Sequence, residues 1–293
     1  MVHDLLFLQH GWADTNQTMW ALGQKLRSDH TLICAPDLGW WRTWGKFTEL
    51  YQRVRAQALE LLEAYPHAPV KIVGHSLGGL IWLEILADHP QWWSRMHSLV
   101  LLAVPVGGAD LARTFDPWGS LPLIARDLAK SRRSIATSIA RHIPTLVIAG
   151  DWDGGSDGTI VVGTTRFLGA NWHCIQGAHH AQVRWHPQTV ALIKTFWQNP
   201  TIAEPKPNWQ THMLEYLYSL SLTDAHARDL RWAQRVCHLK DNHTLWQWTS
   251  PLWIKHIFIT DPYMAVVYGA FAGWLDRGKL DQVIAHLKAN YSP

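Results

Sequence analysis

The chain has 293 residues, 47% of them apolar and 17% charged, and its formal net charge is +3. This composition is typical of a globular protein with a sizeable core, and the small charge gives no basis for a nucleic-acid partner. Its three cysteines are far apart and lack C-x-x-C spacing, so neither a disulfide framework nor a zinc knuckle is expected.

Neither end of the sequence carries a targeting or membrane-spanning pattern. Residues 1–12 lack the basic and apolar regions of a signal peptide, and the apolar stretch at 263–275 is shorter than the roughly 20 residues that a bilayer requires. We therefore expect a cytoplasmic protein. The 19 tryptophans leave peripheral membrane contact open, because indole also favours membrane surfaces.

Strand and helix patterns alternate over the first two thirds of the chain. Apolar, β-branched runs predict strands at 5–9, 31–37, 70–74, 98–105, 145–151 and 172–177. Helical spacing of apolar residues predicts helices at 17–28, 47–64, 77–88 and 188–197. This order predicts an α/β fold, with a mainly parallel sheet flanked by helices.

The regular alternation ends at a proline-rich segment. Pro200, Pro205 and Pro207 predict an extended linker over residues 200–208, which follows a domain at 1–199. Beyond it, "WQTHMLEYLYSL" and "KLDQVIAHLKAN" have helical spacing, so residues 209–293 are expected to form a small helical unit of unknown role.

This C-terminal unit is expected to dock on residues 1–199. A unit of this size has a limited core, and four tryptophans are more aromatic surface than it readily hides: Trp246, Trp248, Trp253 and Trp274. Docking at the mouth of the active site would make the unit a partial lid, whereas docking at the far sheet edge would protect that edge.

The segment "KIVGHSLGG" places Ser76 between a predicted strand and a predicted helix. A serine at the apex of such a turn is exposed for nucleophilic attack, and Gly74 and Gly78 make room for the neighbouring backbone. "GGSDG" also matches G-x-S-x-G, but no amphipathic helix follows Ser156. The sequence therefore favours Ser76 as the nucleophile.

A nucleophilic serine needs a base, and that base needs an orienting acid. Among the carboxylates after the strand at 145–151, the apolar residues that follow Asp157 favour it over Asp153. In the loop before the last helix of the domain, His180 is favoured as the base, and His179 is the alternative. The loop position also suits these residues better than His186, which precedes a proline.

The negative charge that develops on the substrate oxygen needs hydrogen-bond donors. His10-Gly11 ends the first strand, so the backbone N–H of Trp12 is one candidate donor. The second candidate is the N–H of Leu77, at the start of the helix after the nucleophile, where the helix dipole favours negative charge.

With these segments, "HGW", "GHSLGG", "AVPVGGAD", "SDGTIVV" and "GAHHAQVRWHP", residues 1–199 resemble the α/β-hydrolase superfamily and most closely its lipase and esterase branch. The resemblance implies a serine hydrolase with a Ser-His-Asp triad that acts on a small-molecule or lipid ester. It also implies a sheet without the first hairpin that many members have, and a small cap. The C-terminal unit lies outside the resemblance.

Three functional hypotheses remain to be compared. An H-E-x-x-H motif or comparable ligand spacing is absent from the sequence, so neither a metal nor a cofactor is expected. The main rival to an esterase is an inactive hydrolase fold that serves as a binding or scaffold protein. For the esterase, Trp12, Trp40, Trp41 and Trp44 are expected to line an apolar entrance. The sequence gives no indication of the oligomeric state.

Overall fold

The computed structural model describes residues 2–108, 123–220, 222–273 and 277–293. The first 199 residues contain a six-stranded sheet in the order β2-β1-β3-β4-β5-β6, and every neighbouring pair is parallel. Its strands are β1 (Asp4–Gln9), β2 (Thr31–Cys34), β3 (Val70–His75), β4 (Met96–Leu102), β5 (Thr145–Asp151) and β6 (Asn171–Gln176). All six strands coincide with the apolar runs that predicted them.

Helices cover both faces of this sheet. They are α1 (Gln17–Leu26), α2 (Phe47–Ala64), α3 (Leu77–Asp88), α4 (Leu123–Leu128), α5 (Arg133–Ala140) and α6 (Pro187–Gln198). Leu5 and Phe7 of β1 pack in the core that contains α2 and α3, whereas Leu6 and Leu8 pack in the core that contains α1 and α6. The strand is therefore buried on both faces, as its continuous apolar sequence predicted. No described helix is long and apolar enough to cross a membrane.

The C-terminal unit contains both predicted helices and also a sheet. Its elements are α7 (Trp209–Ser219), β7 (Thr223–Asp224), β8 (Gln234–His238), β9 (Thr244–Thr249), β10 (Lys255–Thr260), β11 (Val266–Ala272) and α8 (Arg277–Tyr291). The strands pair antiparallel in the order β7-β11-β10-β9-β8. Ile257 and Ile259 of β10 share a core with Met213 of α7 and Leu280 of α8.

The expectation of a helical unit therefore needs a correction. Five strands lie between the two helices, and the short strands β9 and β10 carry alternating polar and aromatic or branched residues, "TLWQWT" and "KHIFIT". Such residues suit a sheet with one buried face, and their period of two was the missed signal. Residues 200–208, all described, form a connection without helix or strand.

A buried ion pair joins the C-terminal unit to the first domain. The Arg133 guanidinium donates to Asp224 Oδ1 at 2.7 Å, and each side chain is only 6% exposed. Arg133 also donates to the backbone oxygens of Gly163 and Arg166. These residues lie near β5 and β6, at the opposite end of the strand order from β2, so this contact is remote from the far edge considered above.

The tryptophans proposed as the docking surface have other neighbours. Trp246 donates to Thr260 within its own sheet, and the Trp248 ring lies 4.7 Å from that of His256. Trp253 is 69% exposed. Trp274 lies outside the described residues. The reason given for docking was therefore wrong for the described tryptophans, and a buried ion pair takes its place.

Candidate active site

Ser76 lies at the sharp turn between β3 and α3. Its backbone has φ 51° and ψ −125°, a conformation that costs energy for a residue with a side chain. The neighbouring strand holds this turn, because the Ser76 N–H donates to the Leu102 carbonyl at 3.0 Å. Helix α3 begins at the next residue, so Ser76 lies at its N-terminus.

The two glycines around Ser76 allow close approach of the backbone. A Cβ atom at Gly74 would lie 2.5 Å from the Gly79 Cα, and one at Gly78 would lie 2.4 Å from the Gln9 carbonyl oxygen. Contacts this short require the backbone to move. The structural role expected for both glycines is therefore present.

The segment after β1 lies directly beside the serine. A Cβ atom at Gly11 would lie 2.9 Å from that of Ser76. His10 is buried, and its Nε2 accepts from the Leu38 N–H at 2.9 Å, so its Nδ1 carries the proton and donates to the Gly11 carbonyl at 3.0 Å. Burial lowers the pKa of His10, which keeps the ring neutral in this arrangement. Trp12 follows at the end of this fixed segment.

Asp157 and His180 form a hydrogen-bonded pair. His180 Nδ1 lies 2.7 Å from Asp157 Oδ2, and the Asp157 side chain is 1% exposed. The other carboxylate oxygen accepts from the N–H groups of Thr159 at 2.9 Å and Ile160 at 2.8 Å. With the Nδ1 proton held by the carboxylate, the Nε2 of a neutral His180 can accept a proton.

The sequence matches no protein-family model and no curated protein sequence. Solved structures do resemble it: the lin2722 product of Listeria innocua is 14% identical, with a TM-score of 0.52, over 69% of this chain and 96% of its own. The mature lipase BlEst2 of Bacillus licheniformis is 15% identical, with a TM-score of 0.50, over 69% of this chain and 93% of its own.

The chain has the α/β-hydrolase fold. The propeptide form of the same Bacillus licheniformis lipase is 12% identical, with a TM-score of 0.55, and covers 91% of this chain and 64% of its own. This coverage exceeds what residues 1–199 alone can supply, so the likeness to the propeptide form continues into the C-terminal unit.

The other carboxylates of the acid turn in this α/β-hydrolase have different partners. Asp153 Oδ1 accepts from the N–H and the hydroxyl of Ser156, at 2.8 and 2.9 Å, and from His226 Nε2 at 3.1 Å. Asp151 Oδ1 accepts from the backbone N–H groups three and four residues later. The carboxylate bonded to His180 is that of Asp157.

The alternative histidines of the α/β-hydrolase also lie elsewhere. The His179 ring stacks on Trp152 with a centroid distance of 3.6 Å. His186 precedes α6, and its Nδ1 accepts from the Gln188 N–H at 3.3 Å. Both side chains thus have structural partners, and His180 contacts the buried carboxylate.

A third histidine at the site was not predicted. His75 is 4% exposed, its ring lies 4.8 Å from that of His180, and its Nε2 lies 3.2 Å from the His180 carbonyl oxygen. Because that oxygen can only accept, Nε2 carries the proton. Burial and then the nearby His180 lower the pKa of His75 well below its usual range, so the ring is neutral. Its position next to Ser76 in "GHSLGG" was the available signal.

Indole rings adjoin the segment that contains Trp12. The Trp12 ring contacts that of Trp44 edge to face at 4.4 Å, and Trp40 lies 5.8 Å from Trp44 and 4.4 Å from Trp41. Trp41 is 81% exposed, so the group runs from the first-strand segment to the surface. Among the described residues, no group of three or more His, Cys, Asp or Glu side chains is arranged to hold a metal ion.

Proposed function

We propose that this α/β-hydrolase cleaves carboxylic esters, with Ser76 as nucleophile, His180 as base and Asp157 as the acid that orients the base. The observation that carries the proposal is the 2.7 Å bond between His180 Nδ1 and the buried Asp157 carboxylate. That bond leaves Nε2 available as a base, and His75, which directly precedes Ser76, donates to the His180 carbonyl.

The chemistry follows from these roles. His180 Nε2 removes the Ser76 hydroxyl proton while Oγ bonds to the ester carbonyl carbon, and the N–H groups of Trp12 and Leu77 stabilise the negative oxygen. The C–O bond to the alcohol then breaks, and His180 returns the proton to the departing alcohol. Water attacks the resulting acyl-enzyme with His180 again as base, which releases the carboxylic acid and restores Ser76.

The indole group favours an ester with an apolar acyl chain, from a small molecule or a lipid. Trp40, Trp41 and Trp44 contact one another beside Trp12, so an acyl chain that enters there can exchange water for indole surface. Contact with a membrane surface agrees with the 81% exposure of Trp41.

The test compares the two serines of the G-x-S-x-G matches. Ser76→Ala should lower kcat for p-nitrophenyl butyrate by at least about 10³-fold, because the attacking oxygen is removed. Ser156→Ala should cost at most about tenfold, because its hydroxyl bonds only to Asp153 and the Gly158 N–H. Equal losses in the two variants, with unchanged circular dichroism, would contradict the proposal.

A further inference from the structure

We propose that His226 of the C-terminal unit is a positioning residue for the triad acid, and that it acts through Asp153 on the acid turn, residues 151–160. The C-terminal unit is then a working part of the catalytic domain. The inference rests on the roles proposed above for Asp157 and His180. It also assigns a role to Asp153, the carboxylate that the sequence offered as an alternative acid.

The contact between the two units is made by both oxygens of Asp153. His226 Nε2 lies 3.1 Å from Asp153 Oδ1 and 3.3 Å from Oδ2, and the Arg228 guanidinium lies 3.5 Å from Oδ2. His226 Nδ1 accepts from the Arg228 N–H at 3.2 Å. A neutral His226 therefore carries its proton on Nε2 and donates it to Asp153.

Charge strengthens this contact. Burial would raise the pKa of Asp153, but hydrogen bonds from Ser156 and His226 outweigh burial, so the pKa lies below its ordinary value. The side chains of His226 and Asp153 are 14% and 28% exposed. A donor to an ionised carboxylate in this partly dry setting makes a stronger bond than one between neutral groups.

Hydrogen bonds connect Asp153 to the residue that precedes Asp157. Asp153 accepts from the N–H and the hydroxyl of Ser156, and the Ser156 Oγ in turn accepts from the Gly158 N–H at 3.1 Å. The Trp152 N–H donates to the Ser156 carbonyl at 2.7 Å. A displacement of Asp153 must therefore move Ser156 and Gly158, which flank Asp157.

Close packing adds to these bonds. A Cβ atom at Gly155 would lie 2.6 Å from His226 Nδ1 and 3.0 Å from the Ala227 nitrogen, so the acid turn lies directly against this segment. Two residues before His226, Asp224 forms the buried ion pair with Arg133. The position of His226 is thus set by the docked C-terminal unit.

On its other side the acid turn has few close neighbours. A cavity of about 470 Å³ separates Gly154 and Val161 from Leu230, Met264 and Val267 of the C-terminal unit. Because a void supplies no dispersion contacts, the turn depends on its hydrogen bonds to stay in place. This makes the bond from His226 important for the position of Asp157.

The experiment compares three variants of the full chain. His226→Ala removes the donor, and His226→Gln keeps an amide N–H near the same place. Arg141→Ala is the matched control, because it breaks another ion pair between the units, with Glu215 at 3.9 Å, that does not involve the acid turn. Each variant is measured for kcat and KM on p-nitrophenyl butyrate. Each is also measured by NMR for the downfield proton on His180 Nδ1, identified by its absence in His180→Gln.

We expect His226→Ala to lower kcat by about 5- to 20-fold with little change in KM, since a small misplacement of the acid impairs the chemical step more than binding. The His180 Nδ1 proton resonance should shift or broaden. His226→Gln should recover most of kcat and of the resonance, and Arg141→Ala should leave both unchanged.

Three results would overturn the inference: an unchanged resonance in His226→Ala, equal impairment by His226→Gln, or an equal effect of Arg141→Ala. If His226→Ala fails to fold, Asp153→Asn replaces it, with the same expectations for kcat and the resonance. If the wild-type protein hydrolyses no ester, the proposed function fails. The resonance still decides whether His226 positions the pair of Asp157 and His180.

Discussion

Asp157 and His180 are joined at two points. The carboxylate contacts the ring Nδ1 at 2.7 Å, and the His180 backbone N–H donates to the Asp157 carbonyl at 2.9 Å. The carboxylate itself cannot rotate freely, because its second oxygen is held by the N–H groups of Thr159 and Ile160. A carboxylate fixed in this way can hold one ring orientation and one tautomer of the histidine.

The first prediction separates Asp157 from Asp153. Asp157→Asn should lower kcat by about 10³- to 10⁴-fold, because an amide N–H facing Nδ1 favours the tautomer that cannot accept the serine proton. Asp153→Asn should cost only about 5- to 20-fold, because Asp153 acts on the position of the turn. Steady-state kinetics on p-nitrophenyl butyrate measure both. A greater loss in Asp153→Asn would contradict the assignment of the acid.

The second prediction concerns the buried, neutral His75. Its pKa in the folded protein is lowered well below the usual value by burial and by His180. Below about pH 6.5 the unfolded chain protonates this histidine while the folded protein does not, so the free energy of unfolding falls as the pH falls. This one group contributes a slope of up to about 1.4 kcal/mol per pH unit.

His75→Gln removes the titrating group and keeps an amide that can donate to the His180 carbonyl. Urea unfolding between pH 7.5 and pH 5.5 should therefore show a shallower loss of stability in this variant than in the wild-type protein. Identical slopes in the two proteins would show that His75 is not held neutral.

The third prediction concerns the backbone approach at the serine turn. Gly78→Ala should abolish activity and lower the melting temperature, because its Cβ would lie 2.4 Å from the Gln9 carbonyl oxygen and 2.5 Å from that of His10. Gly278→Ala is the control: it lies in α8 with no heavy atom within 4 Å of the added Cβ, and alanine favours helix. Differential scanning calorimetry should find the control at least as stable as wild type. A harmless Gly78→Ala would contradict the turn geometry.

Much of this fold could be predicted from local patterns. The six strands of the parallel sheet are buried on both faces, so their apolar runs stand out in the sequence. Ser76 was identified because a strand precedes it and a helix follows it, and that local context separated it from Ser156. The choice of Asp157 over Asp153 also rested on local sequence, since the following apolar residues fix the turn.

Other features depend on contacts between distant parts of the chain. The partner of Asp153 is His226, 73 residues later, and local sequence gives no sign of that pairing. The role of His75 depends on the position of the His180 loop, which only the folded chain brings to it. The sheet of the C-terminal unit was missed because its strands are short and bury one face, so their alternation is a weaker signal than a continuous apolar run.

The fourth prediction concerns the acyl chain of the substrate. For p-nitrophenyl esters, kcat/KM should rise from C2 towards C8 by up to about fourfold per methylene, because burial of each methylene contributes about 0.8 kcal/mol. Trp40→Ala should reduce that rise, since Trp40 contacts both Trp41 and Trp44. Trp232→Ala, which removes an exposed indole of the C-terminal unit, should leave it unchanged. A steady fall in kcat/KM from C2 to C8 would contradict an apolar acyl site.

The central claim is that Ser76 is a nucleophile activated by His180, and covalent labelling with a fluorophosphonate tests it most directly. Phosphonylation needs an activated serine but no knowledge of the natural ester. Peptide mass spectrometry should locate a single adduct on Ser76. Labelling should be absent in Ser76→Ala and strongly slowed in His180→Gln. An adduct on Ser156, or no adduct on the folded wild-type protein, would contradict the account and favour a binding or scaffold protein.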